Sequence, residues 1–373
     1  MESLEPYMPP RGLSIPVVTI LDRHGEVIED SQREVVRFAL QDGRGADVVF
    51  AVGTTGEWDR IDIRRQQLVS RVTVEECRRV RPGAKPVEAW AGITAHTRAD
   101  TLENLVHAIE IGADAAVLAP LSVTDVEDVA GFVTRDVSQV FERRGRGIPV
   151  FLYDNADIAA PGKAPHLHTR DVKRMSQLDY VHGIKVTASK KVLGNYTRAA
   201  AHFKPGGEFA IYTGNVHLIF ELFAPPLGWA GRLRHHWNRY WTGSALPAGV
   251  VAGPANVMPR ECQRAWQVCQ ERDRPLMERY AAVLERYSSA CTFTRAGRPV
   301  RLTIACLKAA LAERGVSSSD AVAQGTPALE DSERQEFKRR LDELARFAAA
   351  TLEPGFLSEL PSSSLPHRTP HHA

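Results

Sequence analysis

The sequence predicts an α/β fold, a (β/α)8 TIM barrel with a C-terminal helical extension. Three observations carry this expectation. Eight short apolar runs, β-branched or aromatic and bounded by Gly, Pro or Asp, recur up to residue 253. Between them the hydrophobic period lengthens to about 3.6 residues, as in helices alternating with parallel strands. No G-x-G-x-x-G follows the first run, which counts against an open doubly wound sheet, the runner-up.

The predicted strands are "SIPVVTIL" (14–21), "DVVFAVG" (47–53), "PVEAWAGI" (86–93), "AAVLAP" (115–120), "PVFLYDN" (149–155), "VHGIKVT" (181–187), "FAIYTG" (209–214) and "AGVVAG" (248–253). Their apolar runs are nearly continuous, which suits parallel strands covered on both faces. In 97–112, Leu102, Leu105, Val106 and Ile109 make a helical stripe, and Gly112 suits the position just past a helix end. In 125–144, Val126, Val129, Val133, Val137 and Val140 make a second stripe. Residues 1–260 are therefore assigned to the barrel, with a long Trp- and Arg-rich insertion at 222–247. A helix carrying Leu233, Trp237 and Trp241 is expected there, for packing or a subunit contact. Residues 261–352 are expected to be helical. Ser332 and Gln335 offer a capping box ahead of Phe337, Leu341, Leu344 and Ala348. Residues 353–373, rich in Pro, Ser and His, read as a disordered tail.

Composition excludes several classes. The chain carries 47 Lys+Arg against 45 Asp+Glu and no long basic run, so neither nucleic acid nor an anionic membrane is an expected partner. No apolar run approaches the ~20 residues of a membrane span. "MESLEPYMPPRG" lacks the basic and apolar regions of a secretory signal. The five cysteines are scattered and form no C-x-x-C pair, which predicts free thiols in a reducing cytoplasm and no structural zinc.

Barrel enzymes place their chemistry at the C-terminal ends of the strands. Here those ends carry "GTTGE" (53–57), Tyr153, Lys185, and Gly214 with Asn215. By strand alternation, residues 183, 185 and 187 share one face, and Ile184 and Val186 the other. The apolar pair belongs against the helices, so Lys185 points into the barrel mouth. Desolvation there lowers an amine's pKa and frees it for attack on a carbonyl. A lysine snorkelling to the rim is the bland alternative. "GTTGE" brings small residues, two hydroxyls and a helical N-terminus to one place, a combination that suits an anion. Glu57 reads as a support for that turn. Tyr153, which shares its face with Phe151 and Asn155, is placed for proton relay beside an ammonium. Asp154 is expected to face away from the barrel axis.

The order and spacing of "GTTGE", "YDN" and "GIK", with "VVTILDRHGEVIED" and "GVVAGPANVMP", resemble the dihydrodipicolinate synthase / N-acetylneuraminate lyase family over roughly 12–350. The resemblance implies a class I mechanism on pyruvate or another 2-oxo acid, with no metal or organic cofactor. It implies that Lys185 forms the imine and that Tyr153 relays protons with Thr54. It further implies that Thr54, Thr55 and the Val251 main chain bind the 2-oxo acid, and the strand-end positions of Gly53 and Gly214 add them to the expected binding residues. A homotetramer or homodimer is implied as the assembly.

Three departures narrow the activity. Leu121 and Ser122 stand where dihydrodipicolinate synthases usually have an interface tyrosine. Ile158 replaces the arginine that receives the aldehyde's carboxylate, and Ala156 replaces a proline. The expectation is therefore an aldolase joining or cleaving pyruvate and an aldehyde, sugar-acid-like and not lysine-biosynthetic. A 2-keto-3-deoxy sugar-acid dehydratase using the same imine is the first alternative. A catalytically silent barrel that binds a 2-oxo acid is the second. The aldehyde side is expected to draw on 120–124, 156–160 and 214–217, with 222–247 as a lid.

Overall fold

In the computed structural model, strand β1 (Gly12–Pro16) pairs in parallel with both β2 (Val48–Ala51) and β8 (Gly249–Val251), which closes a sheet of eight strands. The structure describes residues 7–80, 85–204, 208–225, 229, 233 and 245–359. Strands β3 (Glu88–Gly92), β4 (Ala115–Leu118), β5 (Val150–Asn155), β6 (Val181–Thr187) and β7 (Ala210–Thr213) follow in chain order, each parallel to the last.

Seven strands fall within the predicted runs. The first differs: "SIPVVTIL" pairs only through Pro16, and β1 begins two residues earlier. Beyond Pro16 the Val17 amide still donates to Phe50 O on β2 at 3.0 Å, after which side chains and the Ile28 amide take over from the neighbouring strand. Asn256 accepts from the Val18 amide at 3.0 Å, and Gln32 accepts from Ile20 and donates to the Val18 carbonyl. The apolar run continues because Val17, Val18 and Ile20 remain buried.

The covering helices are α1 (Glu29–Leu40), α2 (Ile63–Cys77), α3 (Arg98–Ile111), α4 (129–144), α5 (Thr169–Ser176), α6 (Lys190–Ala199), α7 (His217–Leu222) and α8 (Pro259–Glu271). Thr97 caps α3 by accepting from the Asp100 amide, Leu105 and Ile109 are buried, and Gly112 ends it at φ 72°. Helix α4 contains a π turn, Phe132–Val137, between Val129–Gly131 and Ser138–Arg144. Val133, Val137 and Val140 are all buried. Two apolar layers result. Val49, Leu152, Ile184 and Val186 pack outward against the helices, while Phe50, Trp90, Phe151, Tyr153, Tyr212 and Val251 fill the barrel.

After α8 come α9 (Arg274–Ala290), α10 (Thr303–Glu313) and α11 (Asp331–Thr351). The all-helical expectation for this region misses a hairpin, Thr292–Arg295 with Arg298–Arg301, between α9 and α10. The capping box also lies two residues earlier than expected. Glu330 and Glu333 make the reciprocal bonds, because a carboxylate accepts an amide as well as a hydroxyl does. The stripe of Phe337, Leu341, Leu344 and Ala348 is buried as predicted. Residues 353–359, assigned above to the tail, lie against α8: Ser358 and Glu359 bond to Glu261 and Arg260. Residues 360–373 lie outside the described residues, as do Trp237 and Trp241 of the insertion. Trp229 and Leu233 are exposed. All five cysteines are buried and unpaired.

Candidate active site

The lower barrel is filled before the mouth is reached. Trp90 stacks on Phe151 with ring centroids 4.0 Å apart, and Tyr212 meets both edge-on. Tyr7 and Trp90 each donate to Glu88 at 2.7 Å, which satisfies these two donors at the bottom. This layer supports β5 and β6 from below. Gly183 makes the support possible, since a Cβ there would lie 2.7 Å from the Phe151 ring and 2.5 Å from the Ala210 carbonyl.

Above that layer, Lys185 and Tyr153 are register partners on β6 and β5. Both are buried, at 5% and 4% exposure, so the lysine does not snorkel to the rim. The Lys185 Nζ sits 3.8 Å from the Tyr153 ring centroid and 4.9 Å from that of Phe50. Burial lowers the Lys185 pKa below the lysine range, and the facing Tyr153 offsets part of that shift. Burial alone would raise Tyr153, but the Lys185 charge, Thr187 and Thr54 together bring it below its ordinary value.

The Tyr153 hydroxyl is surrounded. It shares a hydrogen bond with Thr54 Oγ1 at 3.1 Å, accepts from Asn155 Nδ2 at 3.1 Å and from Thr187 Oγ1 at 3.4 Å. Thr54 is delivered by a 3-10 turn, Thr54–Gly56, directly after β2. Val52, which precedes it, has φ 58°, an uncommon conformation for a β-branched residue and a local strain beside the site. Thr55 follows on the same turn, and Gly53 accepts from the Gly56 amide at 2.9 Å. Val251 lies with Phe50 and Tyr153 in the interior cluster. The Gly214 amide is already bonded to Val186 O at 2.8 Å. What Gly214 supplies is room, because a Cβ there would lie 2.0 Å from Thr187 Oγ1.

Strand reasoning placed 185 and 187 on one face and Tyr153 and Asn155 on another. It did not show that Thr54, Asn155 and Thr187 converge on the Tyr153 oxygen. Phe50, which faces Lys185, carried no signal beyond its place in an apolar run. Asp154 turns outward as expected, accepting from His166 at 2.9 Å, the Leu167 amide at 2.8 Å and Tyr196 at 3.0 Å. Glu57 holds the turn from behind. It is paired with the fully buried Lys308 at 2.5 Å and accepts from the Ala323 amide and Thr326. Lys190 and Lys191 are exposed on α6. Ile158 packs on both the interior cluster and the group containing Val52 and Trp58.

The Dihydrodipicolinate synthetase family model matches residues 9–223. The chain belongs to this family. Members of the family are class I aldolases and lyases, and the chain is an enzyme of that type. It is 31% identical over 254 residues to the 4-hydroxy-tetrahydrodipicolinate synthase of Geotalea uraniireducens, covering 67% of this chain and 72% of that one. Among solved structures, the sialic acid aldolase of Ruminococcus gnavus superposes with a TM-score of 0.71 at 15% identity, covering 92% and 99% of the two chains. YagE, an E. coli prophage protein of the dihydrodipicolinic acid synthase family crystallised with pyruvate, superposes with a TM-score of 0.68 at 19% identity, over 90% and 98%. At those identities the likeness is one of fold. No described helix is long and apolar enough to cross a membrane.

Proposed function

We propose that the chain is a class I aldolase that joins or cleaves pyruvate, or a related 2-oxo acid, and an aldehyde. The observation that carries this is the buried Lys185 amine facing Tyr153, whose hydroxyl is bonded to Thr54. Lys185 attacks the C2 carbonyl and, with loss of water, forms an imine. In the cleavage direction Tyr153 takes the proton of the C4 hydroxyl. The C3–C4 electrons pass into the protonated imine, giving the aldehyde and an enamine. Protonation at C3 and hydrolysis then release pyruvate and restore the amine. The lowered Tyr153 pKa suits this role, and relay of this kind supplies roughly 10²–10⁴-fold of the rate. Gly53, Thr54 and Thr55 receive the carboxylate of the 2-oxo acid, Val251 lines the opposite wall, and Gly214 admits Thr187. No step calls for a metal or organic cofactor.

The aldehyde is read as sugar-acid-like. The side chain available where a carboxylate-binding arginine would stand is Ile158, packed among apolar groups, and Leu121 and Ser122 replace the interface tyrosine. The curated relatives' names favour a second reading, the lysine-biosynthetic condensation. Dehydration of a 2-keto-3-deoxy acid would use the same imine. Incubation with pyruvate and borohydride tests the mechanism: a pyruvyl adduct is expected on Lys185, and an adduct elsewhere or none overturns it. Product analysis with 2-keto-3-deoxy acids and with aspartate semialdehyde then separates the three reactions. The exposed Trp229 and Leu233 fit assembly as a homodimer or homotetramer, which light scattering measures.

A further inference from the structure

We propose that Asn155 is a positioning residue for proton transfer: its side-chain amide holds the Tyr153 oxygen as a proton acceptor. This rests on Tyr153 being the relay. Asn155 ends β5, two residues beyond Tyr153 on the same face, and is 6% exposed. Its orientation follows from its two partners. The Asp157 amide donates to Oδ1 at 3.2 Å, so Oδ1 faces that N–H and Nδ2 faces Tyr153 Oη at 3.1 Å. A flipped amide would set two donors against each other.

The three uncharged partners of the tyrosine oxygen are not equivalent. The Thr54 and Thr187 hydroxyls donate or accept as the proton moves, whereas an amide nitrogen only donates. Asn155 therefore occupies one lone pair in every state. When Tyr153 loses its proton, Thr54 and Thr187 rotate to donate, and the phenolate is met by three donors. Charge-assisted bonds of this kind are the strong ones. Lys185 on β6 is the charged group facing Tyr153. Glu57 is turned away to Lys308, and Asp154 points to the opposite side of β5.

Two variants separate this role from a simple turn cap. Asn155→Val removes both bonds. Asn155→Asp keeps the acceptor for Asp157 but puts a carboxylate in place of the donor. The limb of the kcat–pH profile that follows Tyr153 is expected to move up by about one unit in Asn155→Val, with kcat down about tenfold. A larger shift is expected in Asn155→Asp. KM for pyruvate should change little, and the Lys185 adduct should still form at saturation. Ultraviolet difference titration of the phenolate, read against Tyr153→Phe, follows the same shift without turnover. A wild-type profile and titration in Asn155→Asp would reduce Asn155 to a turn cap and overturn the proposal. If Tyr153→Phe itself retains wild-type rate, the relay reading fails instead, and the titration still reports whether Asn155 acts on Tyr153.

Discussion

Lys185 is held in a state that costs stability, and this makes its behaviour with pH testable. Its pKa is lowered by burial, so between that lowered value and the ordinary 10.5 the unfolded chain binds a proton that the folded chain does not. Stability therefore rises with pH across that window, and the penalty is complete below it. Tyr153, also lowered, acts in the same direction. Lys185→Met is expected to form no pyruvyl adduct, to raise the urea midpoint near neutral pH, and to flatten the rise with pH. The rate of borohydride trapping in the native protein should climb with pH to a plateau reached below the range of a free lysine. Tyr153→Phe should still be trapped, while kcat falls roughly 10²–10⁴-fold.

At the scale of elements, the site depends on how closely β5, β6 and β7 approach. Thr187 reaches Tyr153 because Gly214 on the neighbouring strand end leaves it space. Gly214→Ala places a Cβ against Thr187 Oγ1 and forces that side chain aside. A loss of about 1–3 kcal/mol by urea denaturation is expected, with reduced kcat and an unchanged adduct mass. The outward face of β5 is equally committed: Asp154 ties the strand to His166, Leu167 and Tyr196, so Tyr153 is anchored from both sides of its own strand. The π turn in α4 leaves the apolar stripe in place: Val133 and Val137 stay buried through it.

Across the whole molecule, the C-terminal region reaches back to the site. Lys308 on α10 meets Glu57 with neither side chain exposed, and the segment at Ala323 and Thr326 closes over the same carboxylate. Removing one partner of a buried pair leaves an uncompensated charge. Lys308→Met is expected to cost about 3–5 kcal/mol, with KM for pyruvate raised because the Thr54–Thr55 turn loses its anchor. The double variant Glu57→Gln/Lys308→Met should recover most of the stability, as chemical denaturation would show. Recovery of KM as well would mean that the turn is held by packing and not by the ion pair.

Much of this was legible in the chain. Period-2 alternation is a property of the strand itself, so it decided that Lys185 and Tyr153 face inward and that Ile184, Val186 and Asp154 face outward. The order of alternating runs decided a parallel barrel, and the strand ends pointed to the place where Thr54 and Tyr153 meet. The first strand was placed too late because Val18 and Ile20 are buried with main-chain bonds to the Asn256 and Gln32 side chains, and hydrophobicity reports burial and not ladder bonds. The convergence of Thr54, Asn155 and Thr187 on one hydroxyl, and the pairing of Glu57 with Lys308, belong to the tertiary structure alone. Thr54 and Tyr153 are 99 residues apart, and Glu57 and Ala323 are 266 apart. Local preferences set which way a side chain points, but only closure of the barrel and the return of the C-terminal helices set what it meets.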